Sequence, residues 1–215
     1  MADDKDTQRL IEMLISELDS YNSELAKLRL TEIGEPAVPV LIDALKNPGG
    51  NVWLGAFEVL AKIGEPAVPA LLDALKNVGP GMRSDIARIL GKIGDSRAMP
   101  ALISILGDNS FSVQSDAYSG LSELALTLLK KGEYSCSLEI IKALAIHTRK
   151  EYKGKKDRDS LKERRIILAE LESLTKQTHD KMNPLDKREP MEWKRPRKGA
   201  KSVYKPFSSK TVYTR

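Results

Sequence analysis

Three stretches of this chain are nearly the same. IGEPAVPVLIDALKN begins at Ile33, IGEPAVPALLDALKN at Ile63 and IGDSRAMPALISILGD at Ile93, a spacing of 30 residues. A recurrence at that period, carried by apolar positions rather than by composition, restricts the chain to an array in which each unit covers its neighbour.

The punctuation gives the unit its shape. Gly34, Gly64 and Gly94 each follow a helical pattern and suit the position just past a helix end, where a side chain strains the backbone. Pro36 and Pro66 forbid continuation, while Pro39, Pro69 and Pro100 fit the first turn of a new helix, where a missing N–H costs nothing. Val38, Leu41, Ile42 and Leu45 then fall on one helical face, and Val68, Leu71, Leu72 and Leu75 repeat it. Met99, Leu102, Ile103 and Leu106 follow one residue late, because the third link is one residue longer. A second helix completes each unit, with Val52, Ala56, Val59, Leu60 and Ile63 inward in one and Met82, Ile86, Ile89, Leu90 and Ile93 in the next. Turn signals at Asn47-Pro48-Gly49-Gly50 and Asn77-Val78-Gly79-Pro80-Gly81 separate the two helices.

GKIGDSRAMPALISILGD, from Gly91 to Asp108, resembles the signature of the HEAT-like repeats first associated with phycobilin lyases, and IGEPAVPALLDALKN is a common variant of it. The resemblance extends over roughly residues 20–125 and implies an all-α HEAT-like solenoid. It implies little about activity, since the family includes bilin lyases, a di-iron hydroxylase, DNA glycosylase relatives and plain scaffolds.

The flanks complete the expected organisation. Residues 7–19 carry Leu10, Ile11, Leu14, Ile15 and Leu18 on one face and read as an N-terminal capping helix within a segment 1–21. The repeats occupy 22–131, opening on a degenerate unit whose second helix runs over 22–33 and closing on a helix from Ser112 to Gly132. Two helices outside the repeat signature, near 135–150 and 160–178, form a C-terminal cap over 132–180, with Ser160 as the N-cap of the last. Leu138, Ile141, Leu144, Ala145, Ile167, Leu168, Leu171 and Leu174 are their expected inward set, and His147 reads as a cap or surface residue. Beyond Asp180 the apolar period disappears. Four prolines and many lysines and arginines make residues 181–215 an extended basic arm, unable to bury enough surface to offset its ordering entropy.

Charge divides the chain sharply. Residues 1–148 hold 14 Lys and Arg against 20 Asp and Glu, a net of −6, and residues 149–215 hold 21 against 10, a net of +11. Within the arm, Arg188, Lys194, Arg195, Arg197, Lys198, Lys201 and Lys205 interleave with Trp193, Tyr204 and Phe207. Such a mixture neutralises phosphates and stacks on exposed bases, so RNA in a ribonucleoprotein such as the ribosome is the first partner it suggests. A solubilising tail, or an arm for an acidic protein groove, explains the same residues.

Enzyme signatures are absent. His147 is followed by Thr148 and His179 by Asp180, so the His-Glu pairs of the di-iron relatives are missing, and the chain has no P-loop, no GxSxG elbow and no dinucleotide turn. Glu35, Glu65 and Asp95 fall at helix corners and Asp43 and Asp73 on an outer face, which are structural places for carboxylates. Cys136 is a lone thiol, read as a small packed residue in a reducing cytoplasm. No apolar run approaches the roughly 18 residues of a membrane span.

One feature of the repeats stands out. Trp53 and Phe57 lie one helical turn apart, and Trp53 aligns with Arg83 and Gln114 in later units, at positions expected near the concave surface. The aromatic pair either widens the core stripe or anchors a protein partner. The sequence therefore predicts a non-enzymatic interaction scaffold with no metal, cofactor or small-molecule substrate, a protein partner on the repeats and a polyanion on the arm. An assembly factor without nucleic acid is the alternative. A glycosylase-like enzyme, with Trp53 and a carboxylate serving a base pocket, is opposed by the acidic repeats.

Overall fold

The computed structural model describes residues 2–153 and 158–182, which fall in helices and turns with no strand among them. The arm residues 183–215 divide from residues 1–182 as a separate unit and lie outside the described residues. Ten helices follow one another: α1 (Ala2–Glu17), α2 (Ser23–Ile33), α3 (Val38–Ala44), α4 (Asn51–Ile63), α5 (Val68–Ala74), α6 (Pro80–Ile93), α7 (Met99–Ile105), α8 (Phe111–Lys131), α9 (Tyr134–Lys153) and α10 (Arg158–Met182).

The links behave as their residues dictate. At Gly34 (φ 72°, ψ −131°) and Gly64 (φ 75°, ψ −136°) the chain enters a region closed to side chains, and each glycine N–H donates to the carbonyl of Leu30 or Leu60. A single 3-10 turn follows, Glu35–Ala37 or Glu65–Ala67, and Pro39 or Pro69 then sits in the first turn of the next helix. The third link differs. Gly94 is ordinary left-handed helix (φ 70°, ψ 36°), and Asp95 caps the 3-10 turn Ser96–Ala98 by accepting from the Arg97 N–H.

The pairs stack by covering one another's apolar stripes. α2, α4, α6 and α8 lie against each other in succession, α3 packs on α5 in a second row, and α9 and α10 close on α8. Leu30, Leu60 and Leu90, one period apart, are all fully buried, as are Leu41, Leu71 and Leu102 from the opposite row. α1 packs against α2, α3 and α4 as the first helix of the first pair.

The closest approach is between α6 and α8. A methyl group added at Gly91 would stand 2.5 Å from the Gly120 Cα and 2.6 Å from the Gly120 carbonyl oxygen. One at Gly120 would stand 2.6 Å from the Ala87 carbonyl oxygen. The two backbones touch because neither glycine has a side chain.

Three local expectations change. Ser160 lies inside α10 rather than at its N-cap, because the helix starts at Arg158. Leu174 is exposed, while Leu171 is the buried apolar residue among those described in α10. His147 is half-buried inside α9 with its ring 6.4 Å from Tyr118, a packed residue rather than a cap. Tyr118, itself buried, donates to the Arg164 carbonyl at 3.0 Å and lies under the Arg164 guanidinium at 4.8 Å, which fixes α10 to α8.

Candidate partner-binding surface

The row formed by α4, α6 and α8 carries the residues singled out above, and the structure shows what each touches. Trp53 is half-buried on α4, and its indole N–H donates to the Asp85 carboxylate on α6 at 3.0 Å. Phe57 is 5% exposed and belongs to the core, with its ring 5.8 Å from that of Trp53. The Arg88 guanidinium stands 5.1 Å from the Phe57 ring centre. Burial has thus assigned Phe57 to the stripe, while Trp53 keeps one edge outward.

Arg83 and Gln114 meet at another point. Arg83 pairs with Asp108 at 2.9 Å and donates to the Val78 carbonyl at 2.8 Å, and Gln114 donates to the Asp108 carbonyl. Both side chains therefore hold the loop between α7 and α8. The structure does not bring Trp53, Arg83 and Gln114 into one cluster through any mutual hydrogen bond or ion pair among the described residues. Arg188, Trp193, Lys194, Arg195, Arg197, Lys198, Lys201, Tyr204, Lys205 and Phe207 lie outside the described residues.

Asp85 and Arg88 are the members that sequence reasoning missed. A signal existed: each reaches back to an aromatic residue of the preceding unit about one period earlier. The same spacing recurs in Lys27 to Glu58 at 2.8 Å, Asn51 to Asp19 at 2.7 Å and Arg97 to the Glu65 carbonyl at 3.1 Å. Polar ties one period long stitch each unit to the one before it.

Electrostatics sharpen the picture at Asp85. Burial pushes its carboxyl above the usual range, the Trp53 N–H and Arg88 pull it back, and Asp116 on α8 pushes it up again, so the net shift is upward. A carboxyl raised by folding adds stability below its unfolded value and loses it as pH climbs through the folded one. Asp85→Asn, which keeps an acceptor for Trp53 and removes the charge, is therefore expected to raise the urea midpoint at pH 7. At pH 3, where Asp85 is itself neutral, parent and variant should coincide. A midpoint at pH 7 equal to or below the parent's refutes this account.

Two of the corner carboxylates, Asp95 and Glu65, have structural partners. Asp95 is buried, which pushes its carboxyl up, yet the Arg97 side chain and N–H and the more distant Lys131 bring it below the usual range. Glu65 pairs with Lys131 at 3.4 Å, and Asp43 and Asp73 pair with Lys46 and Lys76 in the turns just past their helices. Cys136 is half-buried. Among the described residues no three His, Cys, Asp or Glu side chains gather to hold a metal ion, and no helix is long and apolar enough to cross a membrane.

Comparison with known proteins bears on the fold. Residues 82–108 match the PBS lyase HEAT-like repeat, a span running from α6 through α7. A crystal structure of an engineered protein from the Northeast Structural Genomics Consortium is similar at 19% identity, over 76% of this chain and 97% of that one, with a TM-score of 0.35. No curated protein matches. The repeat match and the succession of paired helices together fit a HEAT-like repeat protein.

Proposed function

We infer that the protein is a non-enzymatic HEAT-like solenoid scaffold, acting in the cytoplasm, whose basic C-terminal arm tethers it to a polyanion while the α4–α6–α8 face docks a protein. The observation that carries this is the charge division, a net of −6 over residues 1–148 against +11 over 149–215, with aromatics spaced among the arm's cations. The polyanion named is RNA of a ribonucleoprotein such as the ribosome, because stacking residues between cations suit unpaired bases as well as phosphates. An acidic body on a basic tether is repelled by the backbone the arm seizes, so the repeats are left to select a protein partner. An assembly factor without nucleic acid is the second reading, favoured by the outward edge of Trp53, since a half-buried Trp hydrogen-bonded to Asp85 is a typical interface anchor.

Co-sedimentation with ribonucleoprotein particles across a salt series tests the tether. The full chain should pellet with them, and nuclease should release it. Changing Arg195, Arg197, Lys198, Lys201 and Lys205 to Gln should flatten the log–log salt dependence by about 3.5, at roughly 0.7 per lost contact to single-stranded RNA. Pelleting that ignores nuclease and salt rejects RNA and leaves the second reading. Trp53→Ala then becomes the more damaging change.

A further inference from the structure

The ties between successive units reveal how one end of the stack is used. In each interior unit the same helix positions reach back to the unit before. Asn51 bonds Asp19, a methyl at Gly55 would meet Leu18 at 2.9 Å, and Glu58 pairs with Lys27. One period later Asp85 takes the Trp53 N–H and Arg88 covers Phe57. Positions 51, 55 and 58, and their successors 85 and 88, therefore form the rear face of a unit, turned to the unit before, Gly55 being buried against it and Glu58 and Asp85 half-buried.

Subtracting one period brings these positions to Tyr21, Leu25 and Leu28. Here no described helix pair precedes that of α1 and α2. Tyr21 is fully exposed, Leu25 is 49% exposed and Leu28 57%. On the companion helix Leu10 is also exposed, and the residues one and two periods after it, Val40 and Ala70, pack against the core. The rear slots are partly polar in the interior units, with Asn51, Glu58, Asp85 and Arg88, and wholly apolar in the first. Leu10, Leu25 and Leu28, with Tyr21 beside them, face the side on which later units meet a neighbour, unlike the scattered apolar residues normal on a protein exterior.

The geometry points to a second copy of this chain as the occupant, the two molecules meeting rear face to rear face about a two-fold axis. Such an axis brings a surface onto itself, so an apolar rear face always finds an apolar mate of the same outline. Charge agrees. In a parallel crossing of α2 on α2, Tyr21, Leu25 and Leu28 meet their counterparts along the seam, and Glu24 on one flank of it comes beside Arg29 of the other copy, both being exposed. An antiparallel crossing would instead set Arg29 near Arg29 and Glu24 near Glu24. The acidic charge of the repeats is kept apart by this arrangement, because each array extends away from the joint. This inference is independent of the tether and of the α4–α6–α8 face.

Sedimentation velocity of the full chain, from about 1 to about 100 μM, is the test. The parent should pass from monomer to dimer within that range and stop there, since a two-fold joint consumes the surface. The double variant Leu25→Glu, Leu28→Glu should raise the dissociation constant by about 100-fold or more, as loss of central apolar anchors does. Its far-UV circular dichroism should be unchanged, both residues being exposed. Leu54→Glu, at another exposed leucine on α4, should dimerise like the parent. A parent that stays monomeric throughout overturns the proposal, and so does a double variant that dimerises as tightly as the parent, which would place the joint elsewhere on the chain.

Discussion

Replacing Gly91 by valine is expected to lower the stability of the fold by about 3 kcal/mol or more, at the upper end of overpacking costs. The obstacle is backbone: the new Cβ would lie 2.5 Å from the Gly120 Cα and 2.6 Å from its carbonyl oxygen, and neither can swing aside. α6 and α8 would have to part, and the seam they form joins fully buried Ile86, Leu90 and Leu121. Gly91→Ala should cost less, because alanine recovers up to about 1 kcal/mol of helix propensity while demanding the same separation. Gly91→Ala and Gly120→Ala combined should cost less than their sum, since helices already parted admit the second methyl freely. Urea unfolding measures all three. A valine variant within about 0.5 kcal/mol of the parent would show that the seam is slack.

Leu30→Ala, Leu60→Ala and Leu90→Ala form the second expected result. The three leucines hold the same slot one period apart and are all fully buried, so each truncation should cost about 3 kcal/mol, within the range for buried leucines. Their consequences should nevertheless differ. Leu30 belongs to the end pair, with a neighbour on one side, so its loss should speed amide exchange in α1 and α2 and spare α6 and α8. Leu60 and Leu90 are flanked on both sides, and their loss should lower protection across α2 to α8. Uniform exchange after Leu30→Ala would mean that the whole stack opens as one unit.

Much of the fold was legible because the period does three jobs at once. Ile33-Gly34, Ile63-Gly64 and Ile93-Gly94 end helices, the prolines start the next ones, and the stripes between them state which faces meet. Gly120 shows the limit. In sequence it is a helix-interior glycine with an unfavourable propensity, and its purpose appears only when Gly91 is found against it. Trp53 shows another. Its place on the helix was readable, but whether its edge is free depended on Asp85, a residue that looks like any solvated carboxylate until the seam is drawn. His147 was misplaced because α9 runs to Lys153 and buries a position that a shorter helix would leave at its end. The arm's composition spoke clearly of charge, but composition without period says nothing of conformation.

The first two links share one backbone path, Gly34 and Gly64 agreeing within a few degrees, and the third departs from it at Gly94. A segment copied from just after Gly34 through Gly64 and inserted after Gly64 would begin and end in the same geometry, and would bring its own rear and front faces. Gene duplication at that point lengthens the protein without inventing a joint. The same copying across Gly94 does not, since its backbone conformation differs from that of Gly34 and Gly64 and Thr127 stands against the glycine. The array is thus extensible by copying between its first two links and not across its third.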